Sequence, residues 1–309
     1  MATPERGAGR RSPLRPEVLA QISRLEIRAR RIVEGMVTGR HRSPYKGTSI
    51  EFAQHREYVP GDDLKHLDWK VYGRSDRYYV KEYEEETNLR SYLLLDSSES
   101  MRYATEPEES KYEYAAAALA SIAFMLLRQQ DSVGFGAFDS SIRATLPPSA
   151  HPQTLTAMLE LVATTEPQER TDLSVIFNAL ALEWRRRGIV VVASDLLEDP
   201  EVVIRGLAHL RHAGHEVVVF HVLDRAEREL PFEGNTLFRG LESLGELTVD
   251  PRALRRGYLD ALGRHLDRLR EGCAAERIEY VPMTVGEPLG GTLAAFLARR
   301  AALRSRGRS

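Results

Sequence analysis

The stretch that most constrains this chain covers residues 93–101 and reads LLLDSSESM. A short apolar run that ends in oxygen-bearing side chains indicates a buried strand that opens into a polar loop at its carboxyl end. In an open α/β sheet, ligands bind at that end of the strands. Asp96, Ser98 and Ser100 place alternate oxygens on a tight loop, which suits a small hard cation such as Mg²⁺. A simpler alternative is that Asp96 or a serine caps the following helix.

The chain after this stretch alternates short, uniformly apolar segments with helical patterns. Strands are predicted at 132–138, 141–146, 189–194, 216–223 and 278–282, with a small hairpin of 236–239 and 246–249. Helices are predicted at 108–128, 152–163, 172–187, 201–212, 251–272 and 288–300. We expect Pro147 and Pro148 to end the strand that precedes them. The alternation predicts an α/β fold with a doubly wound, mostly parallel sheet, Rossmann-like in its layers.

The first ninety residues have a different pattern. Residues 1–15 are rich in Pro, Gly and Arg and predict a disordered start. An amphipathic helix is predicted from Pro16 to about Gly35, followed by a basic connector and an irregular, strand-rich segment with a turn at Pro60–Asp63. The sequence thus predicts a helix and strand-rich region at 16–91, an α/β domain at 92–300 and a basic tail at 301–309.

Composition narrows the class of protein. The 309 residues are 42% hydrophobic and 28% charged, as in an ordinary soluble globular protein, and the net charge of −2 gives no global argument for nucleic acid. The single cysteine, Cys273, excludes an intramolecular disulfide and a multi-cysteine zinc site. The apolar runs are strand-sized and the first residues lack a secretory apolar core. We therefore expect a cytoplasmic protein without a membrane span.

Two further boundaries between predicted elements carry oxygen ligands. Thr171 precedes a predicted helix, and Asp195 follows the strand at 189–194. Loops that follow separate strands converge at the carboxyl edge of a doubly wound sheet. We therefore expect Asp96, Ser98, Ser100, Thr171 and Asp195 to meet in one cluster of hydroxyls and carboxylates.

These residues carry a resemblance to known families. The Asp-x-Ser-x-Ser pattern, Thr171 in RTDL and Asp195 in VVVASDLL resemble the metal-ion-dependent adhesion site of von Willebrand factor A domains. Upstream, EFAQHREYVPGDDLKHLDWKVYGRSDRYYVKEYEEET resembles the signature of the bacterial domain of unknown function 58 family, in which it precedes an A-type domain. The resemblance runs from about Gly39 to Arg300. It departs from the better-known A domains at Arg170, where a glycine is common.

The resemblance implies a metal site and a way of working. Ser98, Ser100 and Thr171 would contact Mg²⁺ or Mn²⁺ through their hydroxyls, while Asp96 and Asp195 would contribute directly or through water. Members of the family are typically linked to AAA+ ATPases of the MoxR type. The expected function is a non-enzymatic, Mg²⁺-dependent protein-binding adaptor that connects such an ATPase to a substrate or assembly.

Two other classes of function are weighed against the adaptor. A metal-dependent hydrolase or phosphatase would use the same Asp and Ser cluster, but the chain has neither a phosphate-binding glycine loop nor a Gly-x-Ser-x-Gly elbow. Nucleic-acid binding would use the arginine-rich ends, but no aromatic stacking pattern accompanies those arginines. We therefore expect no enzyme activity and no nucleic-acid partner.

Overall fold

A computed structural model describes residues 15–38, 52–57, 78–83, 89–105, 109–168, 173–184, 186–240 and 245–306. The chain divides into two compact units. The smaller unit consists of residues 45–89, and the larger unit consists of residues 1–44 and 90–309. Helix α1 (Pro16–Thr38) therefore shares a unit with the sheet domain, whereas the sequence analysis grouped it with the strand-rich region. The predicted disordered start, basic connector and Pro60–Asp63 turn lie outside the described residues, as does Thr171.

The small unit contains an antiparallel pair of strands, β1 (Phe52–Glu57) and β2 (Tyr79–Tyr83). In the large unit the strands are β3 (Arg90–Asp96), β4 (Ser132–Phe138), β5 (Ile142–Ser149), β6 (Ile189–Ser194), β7 (Glu216–Leu223), β8 (Thr236–Arg239), β9 (Glu246–Val249) and β10 (Glu279–Thr284). The helices after α1 are α2 (Lys111–Arg128), α3 (Gln153–Thr164), α4 (Leu173–Glu183), α5 (Pro200–His212), α6 (Arg225–Glu229), α7 (Pro251–Ala275) and α8 (Leu289–Arg306).

Six strands form the central sheet in the order β10-β7-β6-β3-β4-β5. All neighbours are parallel except β4 and β5, which are antiparallel. The predicted α/β fold with a mostly parallel sheet is therefore confirmed. The strand order reverses between β3 and β6, because the chain leaves β3 for β4 on one side and later returns to β6 on the other. Such a switch point opens a crevice at the carboxyl ends of the two strands.

Helices cover both faces of the sheet because successive strand residues point to opposite sides. On one face, Tyr92, Val190 and Val217 share a core with residues of α4, α5 and α7. The other face packs against α2, α3 and α8, and Phe220 meets Phe296 of α8 edge to face with ring centroids 5.4 Å apart. The Ala-rich sequence of α2 lets it lie close to the strands. Helix α1 adds an outer layer across α2, α3 and α8.

Two predicted boundaries are wrong, and each has a physical reason. Pro147 and Pro148 do not end β5 but lie within it, at an irregularity in its pairing with β4. Because β5 is the edge of the sheet, a residue that lacks an N–H group is tolerated there. Helix α4 ends at Glu183 and not near residue 187. Trp184 instead stacks on Tyr92 of the sheet, with ring centroids 4.2 Å apart.

Candidate functional site

The candidate site lies at the switch point of the sheet, where β3 and β6 end. Asp96 is the last residue of β3, and Asp195 directly follows β6. Both side chains are buried, with exposed fractions of 1% and 2%. The structure thus brings the Asp195 carboxylate close enough to act electrostatically on Asp96, which is 99 positions away in the sequence.

The carboxylate of Asp96 accepts hydrogen bonds from both strands. Its Oδ1 accepts the backbone N–H of Ser98 at 2.8 Å, which tightens the loop after β3. Its Oδ2 accepts the hydroxyl of Ser194, the last residue of β6, at 2.5 Å.

The alternative in which Asp96 or a serine of this loop caps the following helix is not what the side chains do. The following helix is the 3₁₀ helix Glu99–Arg102, and Ser98 stands at its N-cap position without a side-chain capping bond. Helix α2 is capped by Ser110, in a reciprocal capping box with Glu113.

The three hydroxyls of the loop fall into two groups. The hydroxyls of Ser98 and Ser100 lie 3.0 Å apart, and both side chains are buried. The hydroxyl of Ser97 instead donates to the backbone carbonyl of Phe138 at 2.9 Å. Ser98 directly precedes the short 3₁₀ helix, Glu99–Arg102, which contains Ser100, so the start of that helix brings the two paired hydroxyls together.

Thr171, the fifth predicted ligand, lies outside the described residues, but its flanking segments are described. The backbone N–H of Gln168 donates to the carbonyl of Ser97 at 2.9 Å. After the gap, the N–H of Leu173 donates to the Glu198 carboxylate at 3.0 Å. Gln168 therefore lies at the β3 loop, and Leu173 lies beside the segment that follows Asp195.

Lys111 is the main residue of the site that the sequence analysis missed. It is the first residue of α2, and its side chain has no exposed surface. Its ammonium Nζ lies 2.7 Å from Asp195 Oδ2 and 2.6 Å from Glu227 Oε1. The only sequence signal for it is a lysine that opens an otherwise apolar helix, and that pattern ordinarily indicates a solvated helix end.

The loop that carries Asp195 is held on several sides. Ser194 Oγ accepts the N–H of Leu196 at 3.0 Å, and Leu196 takes a left-handed conformation with φ of 49°. The ring of His221 lies 2.8 Å from the carbonyl of Asp195, and that of His265 lies 3.1 Å from the carbonyl of Leu196. A strained residue kept in place by surrounding bonds is typical of functional sites.

Burial and charge shift the ionisation of this cluster in both directions. Burial, with the Asp195 carboxylate nearby, raises the pKa of Asp96 above its ordinary range, although bonds from Ser194 and Ser98 oppose the shift. Burial lowers the pKa of Lys111, but the Asp195 and Glu227 carboxylates outweigh it and leave that pKa above normal. Burial lowers the pKa of His221 to about 4, so its ring is neutral. The cluster therefore places three carboxyl groups, those of Asp96, Asp195 and Glu227, around one ammonium group.

The residues present fit a small hard cation. Within the described ranges there is no group of three or more His, Cys, Asp or Glu side chains arranged to hold a metal. A cation here would therefore depend on hydroxyl oxygens together with few carboxylates. The paired hydroxyls of Ser98 and Ser100 and the crowded carboxylates of Asp96 and Asp195 form such a donor set, of the kind that Mg²⁺ and Mn²⁺ accept.

The sheet order, with oxygen-bearing loops at its switch point, defines an α/β domain of the doubly wound class. A family model described as protein of unknown function DUF58 matches residues 54–268, and the chain belongs to this family. The uncharacterized protein Rv1480 of Mycobacterium tuberculosis is 32% identical over 269 residues, which cover 84% of this chain and 83% of that protein. Mb1516 of Mycobacterium bovis, also uncharacterized, matches to the same extent.

Solved structures with a related arrangement include BatB from Bacteroides thetaiotaomicron and the VWA domain of SpRpn10. BatB is 17% identical with a TM-score of 0.45, and the match covers 69% of this chain and 98% of that chain. The SpRpn10 domain is 14% identical with a TM-score of 0.39, over 67% of this chain and 94% of that one. Both TM-scores lie below 0.5, and the order and direction of the six strands define the fold class. Among the described helices, none is long and apolar enough to cross a membrane.

Proposed function

We propose that this chain is a non-enzymatic, Mg²⁺-dependent protein-binding adaptor. The observation that carries the proposal is the pairing of neutral hydroxyls with two buried carboxylates at the switch point of the sheet. Asp96, Ser98, Ser100, Thr171 and Asp195 would hold Mg²⁺ or Mn²⁺. The cation would supply a positive centre at the sheet edge, and the chain's own residues would fix its place.

The donor set favours binding over turnover. A divalent cation surrounded by hydroxyl oxygens and few carboxylates keeps residual positive charge and an exchangeable position. An acidic side chain from a partner can fill that position. The oxygens of Asp96 are already bonded to Ser98 and Ser194, so this carboxylate is held in place.

The proposed partner is an AAA+ ATPase of the MoxR type, or the substrate or assembly on which such an ATPase acts. The chain belongs to the DUF58 family, and the resemblance to that family implies a link to ATPases of this type. The adaptor would work in the cytoplasm, would need no membrane span of its own, and would not bind nucleic acid.

The test is capture of a purified MoxR-type ATPase from the same organism by the immobilised chain, in Mg²⁺ and in excess chelator. We expect capture in Mg²⁺ only, and its loss in Asp96→Ala and Ser98→Ala. Ser97→Ala is the matched control, because this neighbouring buried serine directs its hydroxyl to the Phe138 carbonyl and not to Ser100. Equal capture in chelator, or by Ser98→Ala, would overturn the metal-bridged mechanism.

The hydrolase alternative is tested on the same variants. Purified wild type and Asp96→Ala are compared with p-nitrophenyl phosphate and bis(p-nitrophenyl) phosphate in Mg²⁺ and Mn²⁺. We expect no turnover above the rate without protein. Cation-dependent turnover that disappears in Asp96→Ala would replace the adaptor with an enzyme.

A further inference from the structure

Lys111 occupies a position that local preferences disfavour. As the first residue of α2 it brings a positive charge to the positive end of the helix dipole. Its side chain is also fully buried, and removing an ammonium from water costs several kcal/mol unless it is well paired. Residues that break local rules in this way concentrate at functional sites.

Two carboxylates and an aromatic ring hold the Lys111 ammonium in place. Asp195 Oδ2 lies 2.7 Å from Nζ and Glu227 Oε1 lies 2.6 Å from it. Nζ also lies 5.8 Å from the centre of the Tyr103 ring. Glu227 is fixed in turn, because its Oε2 accepts the backbone N–H of Asp224 at 2.7 Å. The ammonium is therefore a fixed part of the Asp195 environment.

This arrangement limits what Asp195 can offer a cation. Because Oδ2 receives the proton and the charge of Lys111, it is the weaker donor of the two oxygens, and a bidentate contact through both Oδ1 and Oδ2 is disfavoured. Ca²⁺ takes six to eight oxygens and often uses a carboxylate through both of its oxygens, whereas Mg²⁺ requires a compact octahedron of single oxygens. Withholding one oxygen of Asp195 therefore lowers the affinity of the site for Ca²⁺ more than its affinity for Mg²⁺.

We propose that Lys111 is a positioning residue that makes the site selective for Mg²⁺ over Ca²⁺ by withholding Oδ2 of Asp195. This inference rests on the proposed function, because it assumes that Asp96, Asp195 and the serines hold a divalent cation. It assigns the choice between the cations to a lysine that makes no contact with the cation itself.

The test uses a double variant, Lys111→Met with Glu227→Gln. It removes one positive and one negative charge, so the local net charge is unchanged, and the amide oxygen introduced at position 227 can still accept the Asp224 N–H. Glu227→Gln alone is the control, because it keeps the bond between Lys111 and Asp195. Isothermal titration with MgCl₂ and with CaCl₂ gives the ratio of the Ca²⁺ to the Mg²⁺ association constant. Removing such an outer partner typically changes metal affinity by about 10- to 100-fold.

We expect the Ca²⁺ to Mg²⁺ ratio to rise about tenfold in the double variant and to stay within about twofold of wild type in Glu227→Gln. An unchanged ratio in a double variant that still binds Mg²⁺ would overturn the role of Lys111 and leave the cation site intact. No binding of either cation by wild type would overturn the proposed function itself. If the double variant does not fold, Lys111→Leu with Glu227→Gln replaces it, with the same expected direction.

Discussion

Two turns at the same edge of the sheet share the sequence Asp-Ser-Ser. Asp96-Ser97-Ser98 follows β3, and Asp139-Ser140-Ser141 follows the neighbouring strand β4. Both aspartates are buried, and each accepts the backbone N–H of the serine two positions later, at 2.8 Å and 3.0 Å. The two turns therefore have the same local structure.

The turns differ in what else the aspartates contact. Asp139 lies in a hairpin, since the chain returns at once as β5, and its second oxygen forms an ion pair with Arg143 Nε at 3.1 Å. Asp96 lies at the switch point, where its second oxygen meets Ser194 from β6 and its charge faces Asp195. One carboxylate is neutralised locally, while the other adds to an excess of negative charge. We infer that the Asp139 turn is structural and that the Asp96 turn is built to bind.

The largest expected effect is on cation binding. Asp96→Asn should weaken Mg²⁺ binding by about 100-fold or more, because it removes a charged ligand, while Asp139→Asn should change it by less than about twofold. Isothermal titration with MgCl₂ on both variants makes the measurement. A similar loss of Mg²⁺ affinity in the two variants would mean that the Asp96 turn has no special role in binding the cation.

Ser194 should give an intermediate effect, since it is the bond from β6 that fixes Asp96. Ser194→Ala removes the 2.5 Å hydrogen bond to Oδ2 and should weaken Mg²⁺ binding about tenfold. Ser140→Ala, in the hairpin turn, is the control and should leave Mg²⁺ binding unchanged. A Ser194→Ala variant that binds Mg²⁺ as well as wild type would show that the β3 loop alone fixes the position of the Asp96 carboxylate.

Stability in chelator should respond differently to substitution of the two aspartates. Asp139→Asn loses its charged bonds to Ser141 and Arg143 and should lower the free energy of unfolding by about 1 kcal/mol. Asp96→Asn removes a buried charge that repels Asp195, so it should leave the stability unchanged or raise it. Urea unfolding at pH 8 with EDTA compares them. Equal destabilisation would contradict the excess of negative charge at the switch point.

The smallest effect at neutral pH is expected at the opposite, amino edge of the sheet, where the side chain of His215 is buried. Burial lowers the pKa of His215, whose Nε2 lies 2.9 Å from the Trp184 carbonyl. Since the folded pKa lies below the unfolded value, this stability is present above about pH 6.5 and is lost as the pH falls, by at most about 1.4 kcal/mol per unit. His215→Gln should flatten the fall in urea midpoint below that pH. A slope equal to that of wild type would assign the acid sensitivity to other groups.

Much of the fold follows from local patterns. The apolar run 189–193 predicts a buried parallel strand, and β6 agrees with it, because burial on both faces favours apolar residues along the strand. The prediction that Pro147 and Pro148 end their strand is wrong because it depends on long-range structure and not on a local pattern. Whether a proline ends a strand depends on whether its neighbour needs a hydrogen bond, and only the place of β5 at the edge of the sheet answers that.

The residues of the candidate site likewise include some that a local pattern predicts and one that it does not. The alternation of Asp96, Ser98 and Ser100 after an apolar run is visible in the sequence and survives in the structure, because it depends on residues within one loop. Lys111 could not be recognised in this way. Its partners, Asp195 and Glu227, are 84 and 116 positions away, and a lysine beside a helix cap has no pattern of its own.

The sequence by itself determined that two Asp-Ser-Ser turns would follow two buried strands and that each would fold on its own aspartate, because that bond spans two residues. Only the tertiary structure decided which turn would hold uncompensated charge. Strand order is a long-range property: it places β5 and Arg143 beside one aspartate, and β6, Ser194 and Asp195 beside the other. Burial then strengthens the electrostatic interactions of each aspartate with these neighbours, since charges removed from water interact far more strongly than the same charges on the surface.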